Sequence, residues 1–225
     1  MKLTRIYLVA AVALVVELAV SVWGLAQVGV TATVPIHWDA AGNPNGYGPA
    51  LLGFLLVPAI TIGIAVMFSV IPMVEPRREN LQRSASAYRT VAAAATLLML
   101  GVHIVVVLLG TGRDAPVALV VGGGIGLLFA AIGNVMSTVR SNYMFGVRTP
   151  WTLASDVSWD KTHRLVGRLF VAAGLGVFVV SLLGQLELVI WLLLGSVMCV
   201  LVVAVVYSYL VWRDDPGRRP ASGVR

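Results

Sequence analysis

The sequence predicts an all-α membrane protein, a bundle of six transmembrane helices, and three observations lead there. Hydrophobic residues make up 59% of the 225 positions and charged residues only 12%, about half the charged share of an ordinary soluble domain. The mean hydropathy is +0.92. Apolar runs of about 20 residues recur six times, the length a helix needs to cross a hydrocarbon core of about 30 Å at about 1.5 Å per residue. The basic residues fall in alternate gaps between those runs, which an even number of crossings explains.

The spans are expected at roughly 6–27, 51–74, 90–110, 116–136, 166–184 and 187–211. Lys2 and Arg5 precede the first, as they would a secretion signal. Its apolar run exceeds the ~7–15 residues of a signal core, and it continues to Gln27 without a small-residue cleavage site. It therefore reads as a permanent span. The longest connections are 28–50, 75–89 and 137–165. We divide the chain into a two-span module with a structured outer loop (1–89) and a four-span module (90–225), together one integral membrane domain. Cys199 is the only cysteine; it forms no intrachain disulfide and reads as a packing residue of the last span.

The net charge of +6 reports topology rather than a nucleic-acid partner. Lys2 and Arg5 precede span one, and Arg77, Arg78, Arg83 and Arg89 separate spans two and three. Arg140, Arg148, Lys161, Arg164 and Arg168 lie around the connection to span five, and Arg213, Arg218, Arg219 and Arg225 follow span six. Only Arg113 falls on the other side. Basic loops stay cytoplasmic, so both termini are expected in the cytoplasm, with the lipid bilayer, and its anionic headgroups in particular, as the default partner.

The outer loop runs Pro35-Ile36-His37-Trp38-Asp39 and then Gly42-Asn43-Pro44-Asn45-Gly46-Tyr47. Asn43-Pro44 and Asn45-Gly46 are turn signals, because Asn bonds nearby backbone and Gly accepts positive φ. A compact loop is expected, with Trp38 and Tyr47 at a membrane interface. Asp39, Asn43 and Asn45 offer oxygens but miss the calcium-loop spacing and its terminal Glu, so no metal is assigned. An ordered cap and a binding surface built on His37, Trp38, Asp39, Asn43 and Tyr47 both remain open.

The connection before span five reads Gly133-Asn134, Arg140-Ser141-Asn142-Tyr143-Met144-Phe145-Gly146-Val147-Arg148-Thr149-Pro150-Trp151-Thr152-Leu153, then Trp159 through Arg164. Pro150 disfavours helix at Thr149. Thr152 or Ser155 can cap a new helix with Asp156 at its positive end, a short interfacial helix running into span five. Asp160 and Arg164 are spaced as an ion pair, and Trp159, His163 and Gly167 share another face. Asn142, Arg148, Trp151, Trp159 and His163 suit a cytoplasmic docking site, and equally an aromatic and basic anchor at headgroup level.

Glu17 and His103 lie within spans one and three, where an ionisable side chain costs about 2.5–3.5 kcal/mol. Each is expected to face the bundle interior, and a contact between them is compatible with their depth. A structural hydrogen bond and a small proton-coupled transporter or permease are its alternative readings. Gly122-x-x-x-Gly126, Gly133, Gly167, Gly174 and Gly176 put small residues on spans four and five for close packing. No nucleophile elbow, phosphate loop or His-Glu-x-x-His helix occurs, so no enzyme and no cofactor are expected.

The run Asn142 to Leu153, followed by Trp159, Lys161-Thr162-His163-Arg164 and Gly167-Arg168 and preceded by Gly133-Asn134, resembles the signature of the SdpI immunity-protein family. The outer loop from Pro35 to Tyr47 resembles the uncharacterised module usual in the N-terminal half of those proteins, departing where no basic residue follows the Tyr47-Gly48 turn. The resemblance implies a bacterial multi-pass protein that resists a secreted toxin peptide and holds a transcriptional repressor at the membrane. It also implies that Asn134, Asn142, Arg148, Thr149, Pro150, Trp151, Trp159, His163 and Arg164 form the inner binding surface.

Overall fold

The computed structural model describes residues 4–40 and 42–220; Lys2 and Arg225 of the charge pattern lie outside them. The elements are α1 (Thr4–Val28), β1 (Thr33–Trp38), β2 (Pro44–Pro49), α2 (Ala50–Val74), α3 (Arg78–Arg83) and α4 (Ala85–Gly110). A π-helical turn (Ala118–Gly123) then leads into α5 (Gly124–Met136), followed by α6 (Pro150–Ala154), α7 (Asp156–Ser181) and α8 (Leu186–Arg213). Six helices among the described residues are long and apolar enough to cross a membrane, the fourth formed by the π turn and α5 together. The expected six-helix membrane architecture is present.

Three local expectations need correction. The outer loop is not loop but an antiparallel hairpin, so the chain is mostly rather than wholly helical. Asn45-Gly46 is not its turn. The chain reverses over Asp39–Asn43, where the Asp39 carboxylate accepts from the Asn43 N–H at 2.8 Å and Gly42 takes φ +86°. Gly46 lies inside β2 opposite His37, and a Cβ there would stand 2.9 Å from the His37 Cβ. Its missing side chain serves cross-strand approach. The third correction concerns span five, which opens at Asp156 rather than near 166, so the residues expected in an interfacial helix form its first turns. The short helix that precedes it is α6, capped by Thr149, with Thr152 as the reciprocal partner of a capping box. The expected Asp160–Arg164 ion pair does not form; both side chains are exposed, and the salt bridge found among the described residues is Arg213–Asp214.

The spans pack as two three-helix groups, α1 with α2 and α4, and α5 with α7 and α8, joined along α4 and α5. The hairpin seats Val34 on Ala50, Phe54 and Val107 at one end of the first group.

The first group is tied by proline. Pro58 and Pro72 both lie inside α2, and each lacks the N–H that would bond the carbonyl four residues earlier. In hydrocarbon no water can take its place. The Ser21 hydroxyl of α1 donates to the Phe54 carbonyl at 2.7 Å, and the Tyr88 hydroxyl of α4 donates to the Phe68 carbonyl at 2.7 Å. Each proline therefore creates an acceptor that a neighbouring helix satisfies, which sets where the three helices meet.

The second group is tied by glycine. A Cβ on Gly133 would stand 2.4 Å from the Gly167 carbonyl oxygen, and one on Gly174 would stand 2.4 Å from that of Gly126. Residues 126 and 133, and 167 and 174, are one heptad apart, so two antiparallel helices meet backbone to backbone at two levels. The other expected small residues do not join this seam: Gly122 faces Val189 of α8, and Gly176 has nothing within 4 Å.

Candidate functional site: the connection between the fourth and fifth spans

The connection from Ser137 to Ser155 is folded around one buried amide. Asn142 donates from Nδ2 to the Arg140 and Phe145 carbonyls at 2.8 and 2.9 Å. Its Oδ1 accepts from the Met144 and Phe145 N–H groups at 2.9 and 2.6 Å. All four hydrogen-bonding positions of the side chain are used.

α7 supplies the floor. His163 Nε2 accepts from the Val147 N–H at 3.1 Å, so Nδ1 carries the proton and donates to the Trp159 carbonyl at 2.8 Å. The imidazole stacks on Trp159 with ring centroids 4.1 Å apart, and Trp159 Nε1 donates to the Val139 carbonyl at 2.7 Å. Gly146 passes directly over the imidazole at φ +109°, where a Cβ would come within 2.5 Å of Nε2. A side chain there would be both strained and obstructed.

Thr149, Pro150 and Trp151 then turn the chain towards α8. Thr149 Oγ1 bonds the Ser208 hydroxyl at 3.0 Å, the Ser158 hydroxyl donates to the Ser208 carbonyl at 2.8 Å, and Trp151 packs edge-on to Tyr209. Ser155 caps α7 and donates to Asp215 at 2.5 Å. The tail folds back so that the Arg219 N–H donates to the Ala154 carbonyl at 3.1 Å. The hydrogen bond from Ser155, with a second from the Gly217 N–H, holds the Asp215 carboxyl below the usual aspartate value.

Sequence reasoning missed the other wall. Glu75, fully buried, accepts from the Arg77 N–H at 2.8 Å and from the Tyr143 N–H at 3.0 Å. The Arg77 guanidinium lies 4.6 Å over the Tyr143 ring and donates to the Ser141 hydroxyl. Asn80 donates to the Ser141 carbonyl at 2.8 Å, and Ser84 accepts from the Arg140 N–H at 2.8 Å. Pairs separated by 56 to 68 positions leave no signal in local spacing. The two connections form one polar platform with two adjoining clefts of about 360 and 580 Å³ that share Asn80 and Asp156. On the bundle side, an apolar groove of about 470 Å³ runs beneath the connection between Met136, Phe170 and Val200, with Arg148 at its mouth.

The expected inner residues therefore separate into two kinds. Asn142, Trp159 and His163 are buried framework, and Thr149, Pro150 and Trp151 join the connection to α8. Arg148 is exposed, held by one donation to the Tyr143 carbonyl. Asn134 and Arg164 are exposed and line a separate cleft against Arg168.

At the far end, the hairpin's polar residues engage one another. His37 bonds Asn45 at 2.5 Å, and Asp39 and Asn43 join through main chain and side chain. Tyr47 is exposed, and Trp38 half-buried. Arg113 covers the Trp23 ring at 4.5 Å. Between the two ends, Glu17 and His103 meet as their depths allow, but through the backbone. His103 Nε2 lies 2.9 Å from the Glu17 carbonyl oxygen and 3.1 Å from Ser21, while the Glu17 carboxyl accepts from Thr61 at 2.9 Å.

The folded connection coincides with a known sequence family. Residues 138–208 match the SdpI/YfhL protein family, and residues 9–62 match a domain of unknown function (DUF1648). The chain is 22% identical over 186 residues to the immunity protein SdpI of Bacillus subtilis (strain 168), covering 83% of this chain and 86% of that protein. Over residues 138–208 the chain resembles the SdpI/YfhL family. No solved structure matches it. The SdpI/YfhL match opens at Thr138 and closes at Ser208, so it takes in the Asn142 turn, the His163–Trp159 floor and the α8 serine that receives both Thr149 and Ser158. The DUF1648 match spans α1 from Val9 onward, the hairpin and the first half of α2 as far as Ile62, and with them Glu17, Ser21, Pro58 and Thr61.

Proposed function

We propose that this protein is a membrane immunity protein, protecting its cell against a secreted toxin peptide and passing that signal inward. The observation that carries the reading is the similarity to the immunity protein SdpI across 83% of the chain. The platform supports it, because the residues matched to the SdpI/YfhL family build a hydrogen-bonded surface with an exposed rim rather than a catalytic constellation. In this reading the protein acts by binding, without catalysis. The basic end, which holds every described Lys and Arg except Arg113, faces the cytoplasm with both termini. The hairpin, with His37, Trp38, Asp39, Asn43 and Tyr47, meets the peptide outside. The platform rim at Arg148 docks a transcriptional repressor inside.

Expression of the full chain in a bacterium sensitive to a secreted peptide toxin tests the function. Protection appears as a higher toxin concentration for half-killing than with empty vector; an unchanged concentration across sensitive hosts that contain the protein in their membranes overturns it. Orientation is tested separately with a membrane-impermeant thiol reagent in a Cys199→Ala background. Arg113→Cys should label in intact cells and Arg148→Cys only after lysis; the opposite pattern inverts the topology.

A further inference from the structure

We propose that the cleft beside the α5–α7 seam binds an anionic phospholipid, its headgroup phosphate between Arg164 and Arg168 and an acyl chain along Val171 and Leu175. The cleft has a volume of about 570 Å³, with Asn134 and Ser137 contributed by α5 and the two arginines by α7. Arg164 and Arg168 stand one turn apart on one face, and Asn134 follows Gly133 as Arg168 follows Gly167. The backbone contact at Gly133 and Gly167 therefore brings the polar positions of both helices to the same mouth.

Depth makes an anion necessary there. From Leu169 to the end of α7 at Ser181 only thirteen residues remain, fewer than the ~20 that cross a bilayer. Arg168 therefore sits at or just inside the hydrocarbon boundary, where an uncompensated guanidinium is unfavourable. Neither arginine has a hydrogen-bond or ion-pair partner among the described residues, and Asp160, the nearest acid on the same stripe, lines the neighbouring cleft instead. Phosphate is the anion present at this level in every leaflet, and its oxygens match the forked donors of two guanidinium groups. Beyond the arginines the cleft continues inward past Val171, Ala172 and Leu175, an apolar trough that a soluble anion would leave unfilled and an acyl chain occupies. A lipid seated here touches both helices whose ends carry the platform.

Native mass spectrometry of the full chain released from vesicles of mixed phosphatidylglycerol and phosphatidylcholine tests this. The wild type should retain phosphatidylglycerol in preference to phosphatidylcholine. The Arg164→Ala/Arg168→Ala variant should lose that preference by about tenfold or more, and Arg164→Lys/Arg168→Lys, which keeps the charge, should retain most of it. Arg83→Ala, on the other side of the platform, should bind as wild type does. Equal retention of the two lipids by the wild type, or an unchanged preference in the double alanine variant, overturns the proposal. Full displacement by soluble glycerol phosphate at matched concentration also overturns it, in favour of a free-anion site. If the alanine variant does not fold, the lysine variant and the competition by glycerol phosphate decide between these outcomes.

Discussion

The two three-helix groups meet the same difficulty by opposite means. Lipid removes the hydrophobic drive for helices to associate, so something else must select which faces touch. In α1, α2 and α4 the selection is polar: two prolines expose carbonyls, and Ser21 and Tyr88 satisfy them. In α5 and α7 it is steric: glycines at two levels bring the two backbones into direct contact. A polar tie tolerates small shifts of a helix so long as the hydrogen bond survives, whereas a backbone seam admits one register. The folded connection is carried by the helices of the seam, and the hairpin by the group with polar ties.

The largest effect should come from filling the seam. Gly133→Ala or Gly174→Ala places a methyl 2.4 Å from the opposing carbonyl oxygen and is expected to destabilise the protein by about 3 kcal/mol, read as a drop in thermal stability in detergent. Gly176→Ala, with open space around it, should leave stability unchanged. Equal behaviour of the three variants would remove the steric half of the contrast.

The polar ties should yield somewhat less. Ser21→Ala leaves the Phe54 carbonyl unsatisfied and is expected to cost about 1–3 kcal/mol. Pro58→Ala restores the missing N–H, so Ser21→Ala in that background should cost much less. A double-mutant cycle measures the coupling directly, and additive costs would show that the proline does not create the need for the serine. Tyr88→Phe with Pro72→Ala forms the parallel cycle.

The smallest effect concerns the tail. Because its partners hold the Asp215 carboxyl below the ordinary aspartate value, the tail contact contributes fully above that value and is lost as pH falls through the depressed one. Exchange of the Arg219 amide, which donates to Ala154, should accelerate on acidification below the normal aspartate range. In Asp215→Asn the exchange should be faster already at neutral pH and follow only the intrinsic pH dependence. An Arg219 amide protected equally in both would break the link between this carboxyl and the platform.

Much of this was legible in the sequence. Hydropathy places all six spans because each run must satisfy its own backbone in lipid, and the motif of Asn142 to His163 falls on residues that do form one folded unit. Trp159, His163 and Gly167 share a face as their spacing requires. What spacing does not carry is pairing across the chain: Glu75 with Tyr143, Asn80 with Ser141, and the tail with Ala154 are contacts between connections far apart in sequence. The hairpin was hidden for a related reason. Asn45-Gly46 has the composition of a turn, but the Asp39 carboxylate and Gly42 had already reversed the chain, which left Gly46 to meet His37. The prolines of α2 were visible as letters, yet their partners belong to other helices.

The central claim is that the platform's buried residues are framework and its exposed rim acts. Toxin survival, normalised to the amount of protein in the membrane, tests it across Asn142→Ala, Arg148→Ala and wild type, with a reporter of the repressor proposed to dock there read in the same cells. Asn142→Ala should lose membrane protein and protection together. Arg148→Ala should keep wild-type protein levels and melting temperature while the reporter response falls by about tenfold or more. A reporter response at wild-type strength in Arg148→Ala, at wild-type protein levels, would contradict it.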